Sequence, residues 1–153
     1  MYRSNTRPQI PNGPVFDLYK IAYSGTYDGE DPSSSVYAAY SYDATWLALY
    51  GAAYAVTDPP ITGLGIAQGM RRTVNPEALA PTPIEASSWP TVIDTFQAGG
   101  RIEVEGASGP LDFDPVTGEV SNPIEVWVIA GDDPYTFEAV SLCRPGEACV
   151  PIP

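Results

Sequence analysis

The segment VEGASGPLDFDPVTGEV, residues 104–120, holds the densest group of side chains that could do chemistry. Besides three glycines and two hydroxyl residues, it has Asp112, Asp114 and Glu119 within a few positions of one another. Such a set could cradle a phosphate, hold a calcium ion or only reverse the chain. A calcium loop of the EF-hand type needs glycine at its sixth position and glutamate at its twelfth. Counting from Asp112, those positions hold Thr117 and Pro123, so the calcium pattern is not met.

The same segment has the residues of a β-hairpin turn. Pro115 presets φ at the second turn position, and Gly118 supplies a positive φ. The turn stands between a strand that ends in Phe113 and one that begins near Val120. We therefore predict a hairpin here, with a weak cation contact as the alternative, and carboxylates that chiefly keep the turn in water.

Histidine is absent from the chain, and this removes several kinds of catalytic site. There is no ordinary general base for neutral pH, no Ser-His or Cys-His pair, and no imidazole ligand for a transition metal. Chemistry by paired carboxylates stays possible, because the chain has 19 acidic residues. The same residues would equally make a solvated acidic surface. We predict no catalytic residues, no metal site and no cofactor.

Charge and length limit the partners and the class of protein. With seven basic residues the chain carries a formal net charge of −12, which repels a phosphate backbone and disfavours nucleic acid and anionic membrane. No apolar run approaches the ~20 residues of a membrane span. The N-terminal MYRSNTRPQI lacks the apolar core of a secretory signal. At 153 residues and 44% hydrophobic content, one soluble domain with a core is expected.

Two cysteines, Cys143 and Cys149, flank a turn at Pro145-Gly146 and could reach each other. We predict a disulfide worth about 2 kcal/mol, which implies an oxidising compartment, periplasmic or extracellular. The alternatives are two free thiols on a tail or, less in keeping with the composition, half of a tetrahedral metal set.

Apolar spacing predicts helices in the first two thirds of the chain, at about residues 14–98. The longest is expected at about 41–56, with Ser41 or Asp43 at its start. Its apolar stripe would consist of Trp46, Leu49, Ala53 and Val56. Shorter helices are expected from Pro14 to Gly25, after a Thr62 cap, and from a Ser88 cap to a stop at Gly99-Gly100.

Alternating apolar residues predict strands in the last third, at about residues 102–142. The stretches are RIEVEG, PLDFD, IEVWVIAG and YTFEAVSL. The N-terminal NTRPQIPNGPV is too rich in Pro, Asn and Gly for a central strand or a helix.

The order of these segments resembles the C-terminal part of the type I periplasmic solute-binding proteins of the leucine/isoleucine/valine group. Two elements carry the resemblance: Tyr42-Asp43-Ala44 opening an Ala/Leu helix, and GASGPLDFD, residues 106–114, before a glycine turn. It covers about Pro11 to Ile129, most of the chain. In that family the GASGPLDF passage is scaffold near the hinge.

The resemblance implies an α/β fold, fragment-like, with helices followed by a β-hairpin or meander, as at the end of a doubly wound lobe. It implies one α/β unit over residues 1–142 and a Cys-containing tail over 143–153. Its function would be the non-enzymatic substrate-binding component, or a fragment of one, of an ABC importer for branched-chain or other small amino acids. Partners would be the importer permease and, once the missing first lobe is supplied, a small amino-acid-like ligand.

One family position can be carried over, the aromatic residue that borders the ligand cleft. Here it is Tyr37, with Tyr40 as its neighbour, and both are candidate ligand-binding residues. The alternative is that these tyrosines belong to an ordinary core. Because the chain would lack half of the cleft, we expect it to bind amino acids weakly or not at all on its own. Because the missing strands would leave apolar helix faces uncovered, we expect a homodimer through the 41–56 helix or the strands at 102–129.

Two functions from other classes remain open. An autonomous secreted module that binds another protein is suggested by the ten tyrosines. A carboxylate-dependent hydrolase of small sugars, with Asp112 and Asp114 as the residues to test, is permitted by the acidic excess and supported by no motif.

Overall fold

A computed structural model describes residues 4–9, 11–57, 59–114, 116–131 and 134–152. Across them the protein is a mixed α/β structure with four α-helices and two β-sheets. The elements in chain order are β1 Ser4–Pro8, α1 Pro14–Thr26, α2 Val36–Ala55, α3 Gly63–Met70, β2 Thr82–Pro83, α4 Trp89–Gln97, β3 Val104–Gly106, β4 Gly109–Pro110, β5 Ile124–Ala130, β6 Thr136–Cys143 and β7 Val150–Pro151. None of the described helices is both long and apolar enough to span a bilayer.

The chain divides into two compact units. The helical unit is Pro11–Val120, and the strand unit consists of Met1–Ile10 together with Ser121–Pro153. This division differs from the expected unit over residues 1–142 with a tail over 143–153. The difference arises because β1 pairs with β5, far along the chain, and because the expected tail includes β7, which pairs with β6.

The strand unit is a four-stranded antiparallel sheet in the order β1-β5-β6-β7. Arg7 lies opposite Glu125 in the β1–β5 register, and its Nε donates to Glu125 Oε2 at 3.0 Å. Glu125 is buried, so this pair neutralises a carboxylate that would otherwise be costly to bury. β1 is an edge strand ending in Pro8, in keeping with the sequence, which excluded a central strand or a helix.

The helical unit contains a β-α-β element. β2 and β3 are parallel neighbours in a three-stranded sheet of order β2-β3-β4, and α4 lies between them in the chain. The main core packs α2 and α4 onto this sheet. Its buried residues are Leu47, Tyr50, Ile84, Val92, Phe96, Ile102, Val104 and Leu111.

The predicted apolar stripe of the long helix is wrong at Leu49 and Val56, although Trp46 does pack against the core. α2 begins at Val36, earlier than the expected residue 41. Leu49 is 46% exposed and Val56 is 57% exposed. The buried face is instead formed by residues at spacings of four, four, three and five: Ala39, Asp43, Leu47, Tyr50 and Ala55. Alanine and tyrosine occur on every side of this helix, so periodicity did not distinguish the faces.

The predicted helix caps have different outcomes. Thr62 caps α3 as expected, because its hydroxyl accepts from the Gly65 N–H at 3.0 Å. Ser88 precedes α4 but makes no capping bond through its side chain, so that prediction is wrong. Its backbone is already helical, at φ −78° and ψ −16°, whereas a capping side chain needs an extended backbone.

The hairpin turn predicted around residues 113–120 is confirmed. The Asp114 N–H donates to Glu119 O at 2.8 Å, and Gly118 has a φ of +72°. The Asp114 carboxylate accepts the N–H groups of Val116 and Thr117. The strand expected over PLDFD is shorter than predicted, because beyond β4 it continues only as an isolated bridge between Phe113 and Val120.

Candidate functional site

The most distinctive polar feature of the helical unit is a buried carboxylate, Asp43, in the middle of α2. It is 2% exposed. The Ala107 N–H donates to Asp43 Oδ1 at 2.8 Å, and the Ser108 N–H donates to Oδ2 at 2.7 Å. The Ser108 hydroxyl adds a third bond to Oδ2, at 2.6 Å. We call Asp43 with residues 106–108 the Asp43 anchor, because it joins α2 to the loop after β3.

Glycine at position 106 makes the Asp43 anchor possible. A Cβ at Gly106 would overlap the Asp43 carboxylate, so only glycine lets the backbone approach closely enough. The following N–H groups then point at both carboxylate oxygens. Helix position 43 and the sequence Gly106-Ala107-Ser108 are therefore one structural unit, although they lie more than 60 positions apart in the chain.

Burial raises the pKa of the Asp43 carboxyl, and the bonds from Ser108 and Ala107 partly counteract this. No described Lys or Arg forms a salt bridge with it. The carboxylate is thus satisfied by neutral donors alone. The Ser108 hydroxyl keeps its proton as a donor to this carboxylate, and the chain has no histidine for a Ser-His pair.

An aromatic cluster lies beside the anchor. The Tyr50 ring stacks on Trp89 at 5.8 Å between centroids, and Trp46 contacts both rings. The Tyr42 hydroxyl donates to Ile84 O at 3.1 Å. The Tyr50 hydroxyl is buried without a partner, and burial raises its pKa to about 12. The cluster is core rather than cleft, because α4 and the sheet cover it.

The two predicted ligand-binding tyrosines lie one turn apart at the start of α2. Tyr37 is 62% exposed and Tyr40 is half-buried. Burial, with the nearby charge of Asp43, raises the pKa of Tyr40. Neither tyrosine belongs to the two buried clusters of the described residues. Their role in binding stays a prediction.

A cavity of about 260 Å³ lies between the chain before β2 and the start of the β3–β4 hairpin. Its lining includes three acidic residues with small and apolar ones: Ala78, Leu79, Ala80, Pro81, Glu103, Val104, Glu105, Pro110 and Asp112. Glu103 Oε2 accepts the Asn75 N–H, while Glu103 Oε1 is buried and receives no bond from an N–H or hydroxyl group. Burial and then the adjacent Asp112 carboxyl raise the pKa of Glu103.

The structure places Asp112, one of the two candidate hydrolase carboxylates, in the lining of this cavity together with Glu103. The Asp112 carboxyl is one of the groups that raise the pKa of Glu103. Asp114, the other candidate, is engaged in the turn. The hydrolase alternative gains no support from either residue.

The predicted disulfide is present, with Cys143 and Cys149 sulfurs 2.06 Å apart. Among the described residues no group of three or more Cys, Asp or Glu side chains is arranged to hold a metal ion.

Comparison with known proteins gives no family assignment. No protein-family model matches the chain. No curated protein and no protein of solved structure matches it either.

Sequence reasoning missed the role of two carboxylates. Asp43 was interpreted as a helix-start charge, although its spacing of four from Ala39 and Leu47 could have placed it on a buried face. Glu103 gave no such signal, because its partner Asn75 acts through the backbone.

Proposed function

We propose that this chain is part of the substrate-binding component of an ABC importer for branched-chain or other small amino acids. The observation that carries the proposal is the Asp43 anchor. The two segments on which the resemblance depends, Tyr42-Asp43-Ala44 and residues 106–114, contact each other through three hydrogen bonds to one carboxylate. Residues that must meet to hold a lobe together would be kept together in such a family.

The β-α-β element supports the same proposal. A doubly wound lobe is built from parallel strands with a helix in the crossover. β2, α4 and β3 have this arrangement, and α2 packs on the same core. On this proposal the helical unit is the C-terminal part of a periplasmic-binding lobe.

Ligand binding would involve the start of α2. Tyr37 is mostly exposed, so its ring could contact a ligand held between this unit and a first lobe. Tyr40, one turn further along α2, would be its neighbour. A ring can bury apolar ligand surface while the phenol keeps one polar contact. The importer permease would be the second partner. The Cys143–Cys149 disulfide supports a periplasmic or extracellular location for this activity.

Calorimetry with small amino acids tests the proposal. The chain alone should bind leucine more weakly than about 1 mM, because a one-sided cleft cannot offset desolvation of a zwitterion. Supplying a first lobe from the adjoining reading frame should raise the affinity to the micromolar range. Tyr37→Ala should then weaken binding about tenfold or more, whereas Tyr27→Ala, which changes a similarly exposed tyrosine just after α1, should not.

Two outcomes contradict the proposal. Micromolar binding of leucine to the chain alone would show that no first lobe is needed. Absence of any coding sequence for a first lobe next to this one would favour an autonomous module.

The second candidate, a secreted module that binds another protein, is favoured by the outer face of α1. Leu18 and Ile21 are exposed one turn apart on this helix, and Tyr27 is exposed just after it. Aromatic and aliphatic side chains of this kind are typical of interface centres. Capture of a defined extracellular protein that Ile21→Asp abolishes, without loss of helix content, would support this candidate.

The homodimer remains a proposal with a narrower basis. Trp46 packs into the core of the helical unit, so the α2 face available to a second copy consists of Leu49 and Val56. Light scattering at high concentration should show a dimer that Leu49→Glu disrupts. A compact monomer under those conditions contradicts it.

A further inference from the structure

The C-terminal strand β7 has very little non-covalent pairing to hold it on the sheet. It pairs with β6 only at two positions, Ser141 with Pro151 and Leu142 with Val150. One further bond runs from the Ile152 N–H to Val140 O, at 3.0 Å. Val150 and Pro151 are both exposed, so little apolar burial adds to these bonds. A two-residue strand of this kind is too short to be stable on its own.

Pro151 occupies a position where its missing N–H does not cost the sheet a hydrogen bond. Hydrogen-bonded and non-hydrogen-bonded pairs alternate along antiparallel strands. Because Ile152 bonds to Val140, the neighbouring pair of Pro151 with Ser141 is a non-hydrogen-bonded one. The nitrogen of Pro151 therefore faces away from β6, where an N–H would have offered a donor to another strand. β7 thus ends the sheet with a blocked edge.

The disulfide closes the turn between these two strands. Cys143 is the last residue of β6, and Cys149 directly precedes β7. Between them, the Glu147 N–H donates to Arg144 O at 3.1 Å, and Gly146 has a φ of +75°. Cys149 is exposed to solvent, so a reductant can reach the bond.

We propose that the Cys143–Cys149 disulfide is a redox latch for β7, so that the C-terminal strand stays on β6 only while the two cysteines are oxidised. The disulfide closes residues 143–149 into a covalent ring. This ring removes most of the conformational freedom that would let β7 separate from β6. Reduction restores that freedom. Only the two paired positions and the Ile152–Val140 bond then hold β7 on β6. The outer edge of β6 from Val140 to Leu142 then becomes free to pair with another strand.

The redox step balances with a dithiol as reductant. A dithiol thiolate attacks one cysteine sulfur, the Sγ–Sγ bond breaks, and a mixed disulfide forms. The second dithiol sulfur then displaces the cysteine sulfur. Two electrons and two protons pass from the dithiol to Cys143 and Cys149, which become thiols, and the dithiol becomes a cyclic disulfide.

Amide hydrogen exchange, followed residue by residue by NMR, tests the latch. In the oxidised protein the Ile152 amide should be protected. After reduction with a dithiol it should exchange roughly tenfold faster or more, while the β5 amides, as internal reference, keep their rates. The Cys143→Ser/Cys149→Ser variant should exchange at the fast rate with and without the dithiol, which separates loss of the bond from other effects of the reagent.

Two results overturn the proposal. If Ile152 keeps its protection in both the reduced protein and the double serine variant, β7 is held without the disulfide. If the β5 amides lose protection together with Ile152, the disulfide supports the whole sheet rather than a local latch.

Discussion

Replacing Asp43 by alanine should destabilise the helical unit strongly. The carboxylate is the acceptor for two backbone N–H groups, of Ala107 and Ser108, and for the Ser108 hydroxyl. Asp43→Ala removes all three bonds at once. The two N–H groups belong to a fixed loop and cannot turn to another acceptor, whereas the hydroxyl can rotate.

The magnitude follows from these groups. A buried donor left without a partner costs about 1–3 kcal/mol, so two amides cost about 2–6 kcal/mol. Removing the carboxylate also relieves its unfavourable burial, which the raised pKa of Asp43 reflects, so the loss should lie in the lower half of this range. The free energy of unfolding of the helical unit should therefore fall by about 3 kcal/mol, a large part of the stability of a small domain.

Urea unfolding at pH 7 measures this loss. The chain has three tryptophans, of which Trp46 and Trp89 pack in the helical unit. A Trp127→Phe background confines the fluorescence signal to that unit. Asp17→Ala, which removes an exposed carboxylate from α1, is the matched control and should change stability by less than about 0.5 kcal/mol.

A double-mutant cycle with Gly106→Ala makes the test specific. The new Cβ must displace the Asp43 carboxylate, so Gly106→Ala alone should cost about 2–3 kcal/mol. In the Asp43→Ala background the carboxylate that the new Cβ would meet is absent. The double variant should therefore lose at least about 1 kcal/mol less stability than the sum of the two single losses. Additive losses, or an Asp43→Ala variant within about 0.5 kcal/mol of the parent, would refute the reasoning.

Two further predictions concern buried hydroxyl and carboxyl groups. Tyr50→Phe should leave urea stability unchanged or raise it by up to about 1 kcal/mol, since the Tyr50 hydroxyl is buried without a partner, whereas Tyr42→Phe should lower it by about 1 kcal/mol; the reverse order contradicts this. Because the folded pKa values of Asp43 and Glu103 are raised, the folded state binds protons more tightly, and unfolding free energy should rise as pH falls from 7 towards the unfolded values of 3.8 and 4.5. Urea midpoints that fall steadily over that range contradict it. Two exposed carboxyls with lowered pKa values oppose this trend only below about pH 3.8: Asp31 and Asp114.

The sequence predicted local elements well where one residue decides a backbone feature. Thr62 starts α3, Gly118 allows the turn, and Cys143 and Cys149 bond across their loop. These depend on neighbours in the chain, and so composition and spacing were enough.

Features that depend on distant partners were not predictable. α2 has apolar or small residues on most of its surface, so the buried side is chosen by what packs against it rather than by its own pattern. The Asp43 anchor could not be found without knowing that residues 106–108 contact the helix. The pairing of β1 with β5 likewise joins segments that carry no matching signal.

The β1–β5 pairing joins two segments that the ribosome makes at very different times. Arg7 and its partner Glu125 are 118 positions apart, so β1 leaves the ribosome long before β5 exists. At 5–20 residues per second the wait is roughly 6–24 s. The helical unit is complete only at Val120, five residues before Glu125, so the helices that precede α4 can form during that wait while β1 remains without its neighbour. Its short length and terminal Pro8 are what limit misassembly with other nascent chains during that interval.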